Sequence, residues 1–483
     1  VTSVTDFTGF LALYLAGGMP PIEYFGLFTC VGVLAAFLFS CTLMPAGLAF
    51  LPLRMSAVFA RRQELGRLDA LARGLGKLGR FTFRHRRVVL GGGVLLTAIA
   101  LWGAAQLRVN DARIFAFKER HAIVQATRIL NERFDGTSHL NIVVTAATKG
   151  ALLQPEALRR IEALEAFTET LPHVGGTHSI AGWVKRAHQR LHEDQPAYYA
   201  IPSDPSDTKF YLDALTAKTC PMSRLLREVV DPTYTAANLI VRMRSSEFIH
   251  QREVIQAIEG YLAENFRDPS LRVELAGRVN LDYHWMRMIR TSHILGVAFS
   301  AACALLFTGL MFRSLVGGLL CLAVVGLVVL INYAVMGFAG IPLGVSTSMF
   351  ASIAIGVGIN APIHLIDRLR HALRVPGAEP ERVFAETLAF TGRALFFAAF
   401  VLAVGFLLLC VSQFRTLIEF GLLIGLALVV SFVISVTLLP AFIATVKPRV
   451  IWGGTKEPGD TPDLHAVGRV PPRGGRRGAT DNL

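Results

Sequence analysis

Eight apolar stretches, separated by polar segments, dominate the pattern of this chain. A helix needs about 20 apolar residues to cross a bilayer, and all but the first stretch come close to that length. They lie at 2–16, 24–51, 88–107, 292–312, 315–339, 344–366, 394–412 and 419–446. The pattern therefore predicts a polytopic α-helical membrane protein with eight spans.

A two-helix hairpin occurs twice in the chain. Three short motifs mark each copy. The first motif recurs 396 residues later, and the other two recur 395 residues later. The matched pairs are Gly9-Phe10-Leu11 with Gly405-Phe406-Leu407, Phe25-Gly26-Leu27 with Phe420-Gly421-Leu422, and Leu43-Met44-Pro45-Ala46 with Leu438-Leu439-Pro440-Ala441. Duplicated membrane halves are typical of transporters. Since the first copy begins near Val1, we expect the chain to hold the end of one half and all of the other.

The polar segment 108–290 is long enough for a domain with its own core. Strand patterns alternate in it with helical patterns, and three shorter helices form an insert. The strands are predicted at His139–Ala147, Thr177–Ile180, Asn238–Met243 and Leu271–Leu275, and the helices at Pro155–Leu171, Ala181–Leu191, Asp207–Ala217, Met222–Val230 and Glu247–Phe266. Two βαβ units in this order predict an α+β, ferredoxin-like sandwich.

The net charge of +13 is concentrated in the short loops. Segment 54–87 carries +8 and segment 447–483 carries +3, whereas the polar segment 108–290 carries only +2. Threading eight spans places the basic segments on one side, as the positive-inside rule requires. We therefore expect the basic loops in the cytoplasm, the large domain outside, and no nucleic-acid partner.

These patterns divide the chain into six segments. Leucines at 3–4-residue spacing, with arginines between them, make 54–87 a basic amphipathic helix that is expected to lie on the anionic leaflet. The tail is rich in Gly, Pro and Arg and is expected to be disordered. The segments are 1–53 (the last two helices of a first half), 54–87 (cytoplasmic linker), 88–107 (one span), 108–290 (external domain), 291–446 (five-helix bundle) and 447–483 (cytoplasmic tail).

The sixth span contains a polar stripe within an apolar helix. Asn360, His364 and Asp367 follow the spacing i, i+4, i+7 and so share one helix face. Polar groups at this depth are costly unless they face the bundle interior or a wet cavity. The stripe predicts a relay between the two bundles. The alternative is packing, in which Asn360 bonds across a helix interface while His364 and Asp367 reach the cytoplasmic surface.

A second intramembrane acid, Asp6, lies in the first span. It is either a partner in the relay or a residue at a helix end. Close to Asn360, Gly356 and Gly358 allow another helix to approach. Pro362 lacks an N–H group and so leaves a backbone carbonyl without its helical partner.

Several of these motifs resemble those of one transporter group. The chain resembles the resistance-nodulation-division (RND) superfamily of exporters, and within it the mycobacterial-membrane-protein-large (MMPL)-like branch. The resemblance covers about residues 1–446. It rests on Gly356-Val-Gly-Ile-Asn-Ala-Pro-Ile-His364, Thr391-Gly392-Arg393-Ala394, Phe420-Gly-Leu422, Leu439-Pro440, Leu130-Asn131-Glu132-Arg133-Phe134 and Leu158-Arg159-Arg160-Ile161.

The resemblance implies a twelve-helix pump of the bacterial inner membrane with two porter-type domains in the periplasm. This chain would hold helices five to twelve and the second domain. Such proteins exchange protons for hydrophobic or lipid-like molecules, and an oligomer or a periplasmic partner is possible. The tenth-helix position that is usually acidic is Asn360 here, which cannot titrate. Either the missing half supplies the proton carrier, or coupling is asymmetric, or the protein is not proton-driven.

The leading hypothesis is a secondary-active exporter of hydrophobic or lipid-like molecules. The alternatives are a lipid sensor or scaffold of the sterol-sensing type and an accessory factor for protein translocation. No nucleophile–base motif, P-loop or metal-ligand cluster occurs in the sequence. We therefore expect a transporter rather than an enzyme, with no catalytic residue, no cofactor and no metal.

Overall fold

The computed structural model describes residues 2–16, 18–50, 70–216, 223–267 and 269–453. Within these residues, seven helical segments are long and apolar enough to cross a membrane. The first predicted span forms a shorter apolar helix over Ser3–Ala16. The chain is therefore a multi-pass membrane protein whose apolar segments lie where the sequence predicts them.

Four helices precede the extramembrane domain. They are α1 (Thr2–Ala16), α2 (Pro20–Phe50), α3 (Ala70–Arg84) and α4 (Arg86–Ala104). Helix α3 is the described part of the predicted linker 54–87, and residues 54–69 lie outside the described residues. A single residue, His85, separates α3 from the span α4.

The extramembrane domain is built on a four-stranded antiparallel sheet with the order β2-β3-β1-β4. Its elements are α5 (Ala122–Arg133), β1 (Ser138–Ala146), α6 (Pro155–Glu169), β2 (Val174–His178), α7 (Ile180–Leu191), α8 (Pro205–Thr216), α9 (Ser223–Val229), β3 (Ala236–Met243), α10 (Phe248–Asn265) and β4 (Leu271–Ala276). Alternate residues of β1 and β3 are buried, the period-2 pattern of a sheet with one covered face. The predicted α+β, ferredoxin-like class is confirmed.

One helix joins the domain to the membrane without a break. Gly277, with a φ of +83°, turns the chain out of β4 and begins α11 (Gly277–Phe312), which has 36 residues. At about 1.5 Å per residue this helix is about 54 Å long. It passes through the predicted boundary at 290/291 because its first turns already bury Val279, Tyr283 and Met286. Domain and span therefore share one rigid element.

The remaining helices form the second bundle. They are α12 (Leu315–Ala339), α13 (Val345–Ser348), α14 (Phe350–Gly358), α15 (Asn360–Leu373), α16 (Pro380–Thr387), α17 (Arg393–Leu407), α18 (Arg415–Val436), α19 (Leu438–Val446) and α20 (Arg449–Trp452). A π-helical turn, Leu388–Gly392, joins α16 to α17. Residues 454–483 of the predicted tail lie outside the described residues.

The duplicated hairpins α1–α2 and α17–α18 pack in the same way. In the first, a Cβ atom on Gly26 would lie 2.8 Å from the carbonyl oxygen of Phe10. In the second, a Cβ atom on Gly421 would lie even closer to the carbonyl oxygen of Phe406. Each glycine therefore lets two helix backbones touch at the same point of the repeat.

Helix α3 lies against α16. A Cβ atom on Gly79 would be 2.7 Å from the carbonyl oxygen of Phe384, and Arg84 forms an ion pair with Glu381 at 2.8 Å. The basic helix is thus docked on the second bundle by close backbone contact and by one ion pair.

Candidate intramembrane site

The helix that carries Asn360 is interrupted just before it. Pro362 has no N–H group, so the carbonyl of Gly358, four residues earlier, has no helical donor. The buried hydroxyl of Ser431 on α18 supplies the donor instead, with Oγ 2.6 Å from the Gly358 oxygen. The break between α14 and α15 is therefore a satisfied feature of the bundle, since a polar group unpaired in this setting would be costly.

Helix α1 crosses this interrupted helix at two glycines. A Cβ atom on Gly356 would lie 3.0 Å from the Cα of Gly9 and 2.9 Å from the carbonyl oxygen of Thr5. Gly356 therefore stands at a close approach of α1 and α14. A Cβ on Gly358 would meet only ordinary contacts, the nearest being Ser431 at 3.7 Å.

The crossing brings Asp6 and Asn360 together. The Asn360 amide Nδ2 donates to Asp6 Oδ1 at 3.0 Å, and Thr5 Oγ1 donates to Asn360 Oδ1 at 3.2 Å. Thr5 is buried, whereas Asp6 and Asn360 are half-buried. The Asp6 carboxylate is therefore held by an amide from the facing helix, and no salt bridge to it occurs among the residues that the structure describes.

The other two residues of the predicted stripe lie apart from this pair. His364 is exposed, one turn beyond Asn360. Asp367 is half-buried and lies 3.4 Å from His371 Nδ1 on the same helix. The structure thus joins Asn360 to Asp6, while His364 and Asp367 continue along α15 toward its far end.

A half-buried histidine that the sequence analysis did not single out lies on α11. His293 Nδ1 is 2.7 Å from the carbonyl oxygen of Ser348, and its Nε2 is 2.6 Å from the Tyr333 hydroxyl. The ring thereby links α11, α12 and α13. The sequence places His293 at the start of an apolar stretch, which could indicate an intramembrane polar residue. A histidine at that position is equally typical of a membrane interface.

Two cavities lie where the domain meets the spans. One, of about 690 Å³, lies between Arg108, Asn110 and Glu247 on the domain side and Pro342, Thr347 and Arg415 on the membrane side. The other, of about 890 Å³, is lined by polar groups such as Arg278 and Gln251 together with Trp285, Met286 and Ile114. Both include Asp111, Val345, Ser346 and Thr416, so the two cavities adjoin, and we call them together the vestibule.

Asp111 connects the vestibule to the helices on both sides. Its Oδ2 accepts a hydrogen bond from the Val345 N–H at 3.0 Å, at the start of α13. Its carbonyl accepts from the Phe248 N–H at 3.1 Å, at the start of α10. Burial raises the pKa of this carboxyl above its usual value, and the hydrogen bonds from Val345 and Ala112 partly offset that effect.

Within the described ranges, no cluster of three or more His, Cys, Asp or Glu side chains could hold a metal ion. The polar groups at the intramembrane pair are the Asn360 amide, the Thr5 hydroxyl and the Asp6 carboxylate. They are suited to hydrogen bonding and proton exchange.

Comparisons with known proteins agree with the membrane fold. A solved heavy-metal efflux pump matches 92% of this chain with a TM-score of 0.54 at 12% identity, and the match spans 58% of the pump chain. That likeness concerns the fold alone. A crystal structure of SecDF in its super-membrane-facing form matches 93% of this chain and 48% of its own, with a TM-score of 0.44 at 14% identity.

Sequence comparisons identify the family. A chain of Methanocaldococcus jannaschii, MJ1562, whose name calls it a candidate membrane protein, is 21% identical over 364 residues, which is 74% of this chain and 90% of that one. The family model for the MMPL family matches residues 117–465, most of the chain. The resemblance to the MMPL-like branch of the RND superfamily is thereby confirmed, and the chain belongs to the MMPL family.

Proposed function

We propose that this protein is a secondary-active, proton-coupled exporter of hydrophobic or lipid-like molecules. The observation that supports this proposal most is the hydrogen bond between the Asp6 carboxylate and the Asn360 amide. An acid within a span is costly and is usually kept for a function. Asn360 cannot titrate, so Asp6 is the group of this pair that would carry the proton.

The helix crossing would convert a change of protonation into movement. Asn360 holds the carboxylate with its N–H and is itself held by the Thr5 hydroxyl. When Asp6 takes up a proton, its acceptor charge is lost and this bond weakens. The contact lies one turn from the Gly9–Gly356 crossing and beside the break at Pro362. Small changes there would shift α1 against α14 and α15 between two packed arrangements.

The vestibule is the proposed route for the cargo. Its wall combines apolar groups such as Trp285 and Ile114 with the charged side chains of Arg278 and Asp282. A site with both kinds of surface suits an amphipathic molecule. It also lies beside Val345, at the start of the helical segment that leads to Asn360, so occupancy and protonation could influence each other.

We place the protein in the bacterial inner membrane, with the extramembrane domain in the periplasm and α3 at the cytoplasmic face. The charge distribution supports this orientation. A homo-oligomer and a periplasmic partner protein are part of the same proposal.

Dye efflux from cells that express the chain tests this proposal. Efflux of the hydrophobic dye Nile red is measured with and without a proton uncoupler. We expect Asp6→Asn to abolish the uncoupler-sensitive efflux and Asn360→Leu to do the same, while membrane insertion is kept. Asp367→Asn is the matched control, because it makes the same change in a carboxylate that lies apart from the pair, and it should keep efflux.

Each other outcome has a definite meaning. Full efflux by Asp6→Asn would remove the proton role of this pair, and full efflux by Asn360→Leu would remove Asn360 from the mechanism. No uncoupler-sensitive efflux in any form, together with a lipid bound to the purified protein, would favour the sensor or scaffold hypothesis.

A further inference from the structure

A long apolar groove runs along the outside of the second bundle, away from the intramembrane pair. It has a volume of about 440 Å³ and lies between α4, α12, the end of α18 and α19. Its ends are marked on α4 by Leu90 and Leu101 and on α12 by Leu320 and Leu327. Eleven residues of helix span about 16 Å, close to half of the ~30 Å hydrocarbon core. The groove is therefore about as long as one leaflet is thick.

The wall of the groove is hydrocarbon except for one hydroxyl. Its one hydroxyl, on Thr97, donates to the Gly93 carbonyl at 2.8 Å and so leaves no polar group free for a ligand. The absence of a side chain on Gly93 lets Leu438 reach α4, since a Cβ there would lie 2.6 Å from the leucine Cδ2. Small residues, Ala98 and Ala323, give the groove its depth. Such a surface matches an acyl chain and offers nothing to a polar ligand.

Three of the helices that line the groove carry cations at the same membrane face. Helix α4 begins at this face and leads into the extramembrane domain at its other end. Helices α18 and α19 run back from the domain side, so α19 ends at the same face at which α4 begins. The cations are Arg87 in the first turn of α4, Arg313 before α12 and Lys447 after α19, and all three are exposed. Residues 70–107 contain six Lys or Arg and no acid. Long basic side chains at such positions reach the headgroup region.

We infer that this groove binds one anionic glycerophospholipid from the leaflet on the α3 side. The acyl chain would lie between Leu90 and Leu101, and the phosphate would lie among Arg87, Arg313 and Lys447. Apolar length and positive charge occur together at one leaflet, and that combination distinguishes an anionic phospholipid from a sterol or a neutral lipid. This inference does not depend on the proposed export, because a lipid held here could stabilise the bundle whether or not the protein transports a cargo.

Native mass spectrometry of the purified full chain tests the inference. The protein is exposed to phosphatidylglycerol or to phosphatidylcholine, and the lipid that remains after collisional activation is counted. We expect one retained phosphatidylglycerol and little phosphatidylcholine. Ala98→Phe fills the groove and should lower retention of the lipid by about tenfold or more, because several methylenes lose their burial. Ala398→Phe makes the same change on an exposed face of α17 and should leave retention unaltered.

A second set of variants separates binding of the lipid's acyl chain from recognition of its headgroup. Arg87→Gln with Lys447→Gln should keep lipid binding but lose the preference for phosphatidylglycerol. Ala98→Leu is a milder groove filler that serves if the phenylalanine variant does not fold. Equal retention by Ala98→Leu, Ala98→Phe and the unaltered chain would overturn the inference. So would equal loss from Ala398→Phe, or a dimer mass that disappears on groove filling, which would mean that a second copy covers this face.

Discussion

Phe25 and Phe420, which occupy the same position in the two copies of the repeated hairpin, meet edge to face with ring centroids 5.9 Å apart. Each also packs on the equivalent ring of its own hairpin. Phe10 lies 6.4 Å from Phe25, and Phe406 lies 6.3 Å from Phe420. The internal repeat is therefore an interface as well as a sequence pattern, with four rings in a row where the two hairpins touch.

This symmetry predicts that equivalent glycines have equivalent roles. Gly26→Ala and Gly421→Ala place a methyl group against the backbone of Phe10 or Phe406, and overpacking of this kind costs about 1–3 kcal/mol. We expect both variants to lower the melting temperature of the detergent-purified protein. Gly405→Ala is the control, because a Cβ there meets nothing within 4 Å. A melting temperature for Gly421→Ala equal to that of the control would contradict the proposed close contact.

The helix break predicts an energetic link between Pro362 and Ser431. Ser431→Ala leaves the Gly358 carbonyl buried without a donor, at a cost of about 1–3 kcal/mol. In a Pro362→Ala background the helical N–H is restored and can serve that carbonyl, so loss of the Ser431 hydroxyl should matter much less. A double-mutant cycle on unfolding stability measures this difference. Additive effects of the two changes would show that Ser431 does not replace the missing helical donor.

The local patterns of the sequence predict the elements well. The apolar stretches fix the spans by their length, and the strand and helix periods of 138–276 yield the four-stranded sheet. These signals depend on neighbours within one or two turns. The domain boundary at 290/291 stays a prediction, and α11 runs across it as one continuous helix from Gly277 to Phe312.

Contacts between distant parts of the chain required the structure. Asp6 and Asn360 are 354 positions apart, and each could be named from the sequence as an intramembrane polar residue. Their meeting depends on the Gly9–Gly356 crossing, which no periodicity reveals. His293 likewise gains its meaning only from Tyr333 and Ser348, which lie on other elements.

Cysteine labelling tests the proposed orientation. In a variant whose six native cysteines are replaced, Ser203→Cys lies in the extramembrane domain and Pro376→Cys lies in the exposed loop after α15. A membrane-impermeant maleimide added to spheroplasts should label the first and leave the second unlabelled until the membrane is permeabilised. The reverse pattern would place the domain in the cytoplasm and would contradict the orientation inferred from charge.

The Asp111 junction predicts a pH dependence of stability with a definite sign. Burial raises the pKa of Asp111, so the folded protein holds this proton more tightly than the unfolded chain does. Its stabilising contribution is fully present below the unfolded pKa of about 3.9 and is lost as the pH rises through the higher folded pKa. Asp111→Asn stays neutral and still offers Val345 an acceptor oxygen.

We therefore expect the Asp111→Asn variant to show a flatter melting temperature between pH 4 and pH 7 and to be at least as stable as the unaltered chain at pH 7. Glu253→Gln, at an exposed position on α10, should keep the original profile. Asp111→Ala should be less stable than Asp111→Asn at every pH, because the N–H at the start of α13 then loses its acceptor. If Asp111→Asn instead kept the full pH dependence, another group would be responsible. Asp111 would then be only a structural link, in which its backbone carbonyl contacts α10 and its carboxyl contacts α13.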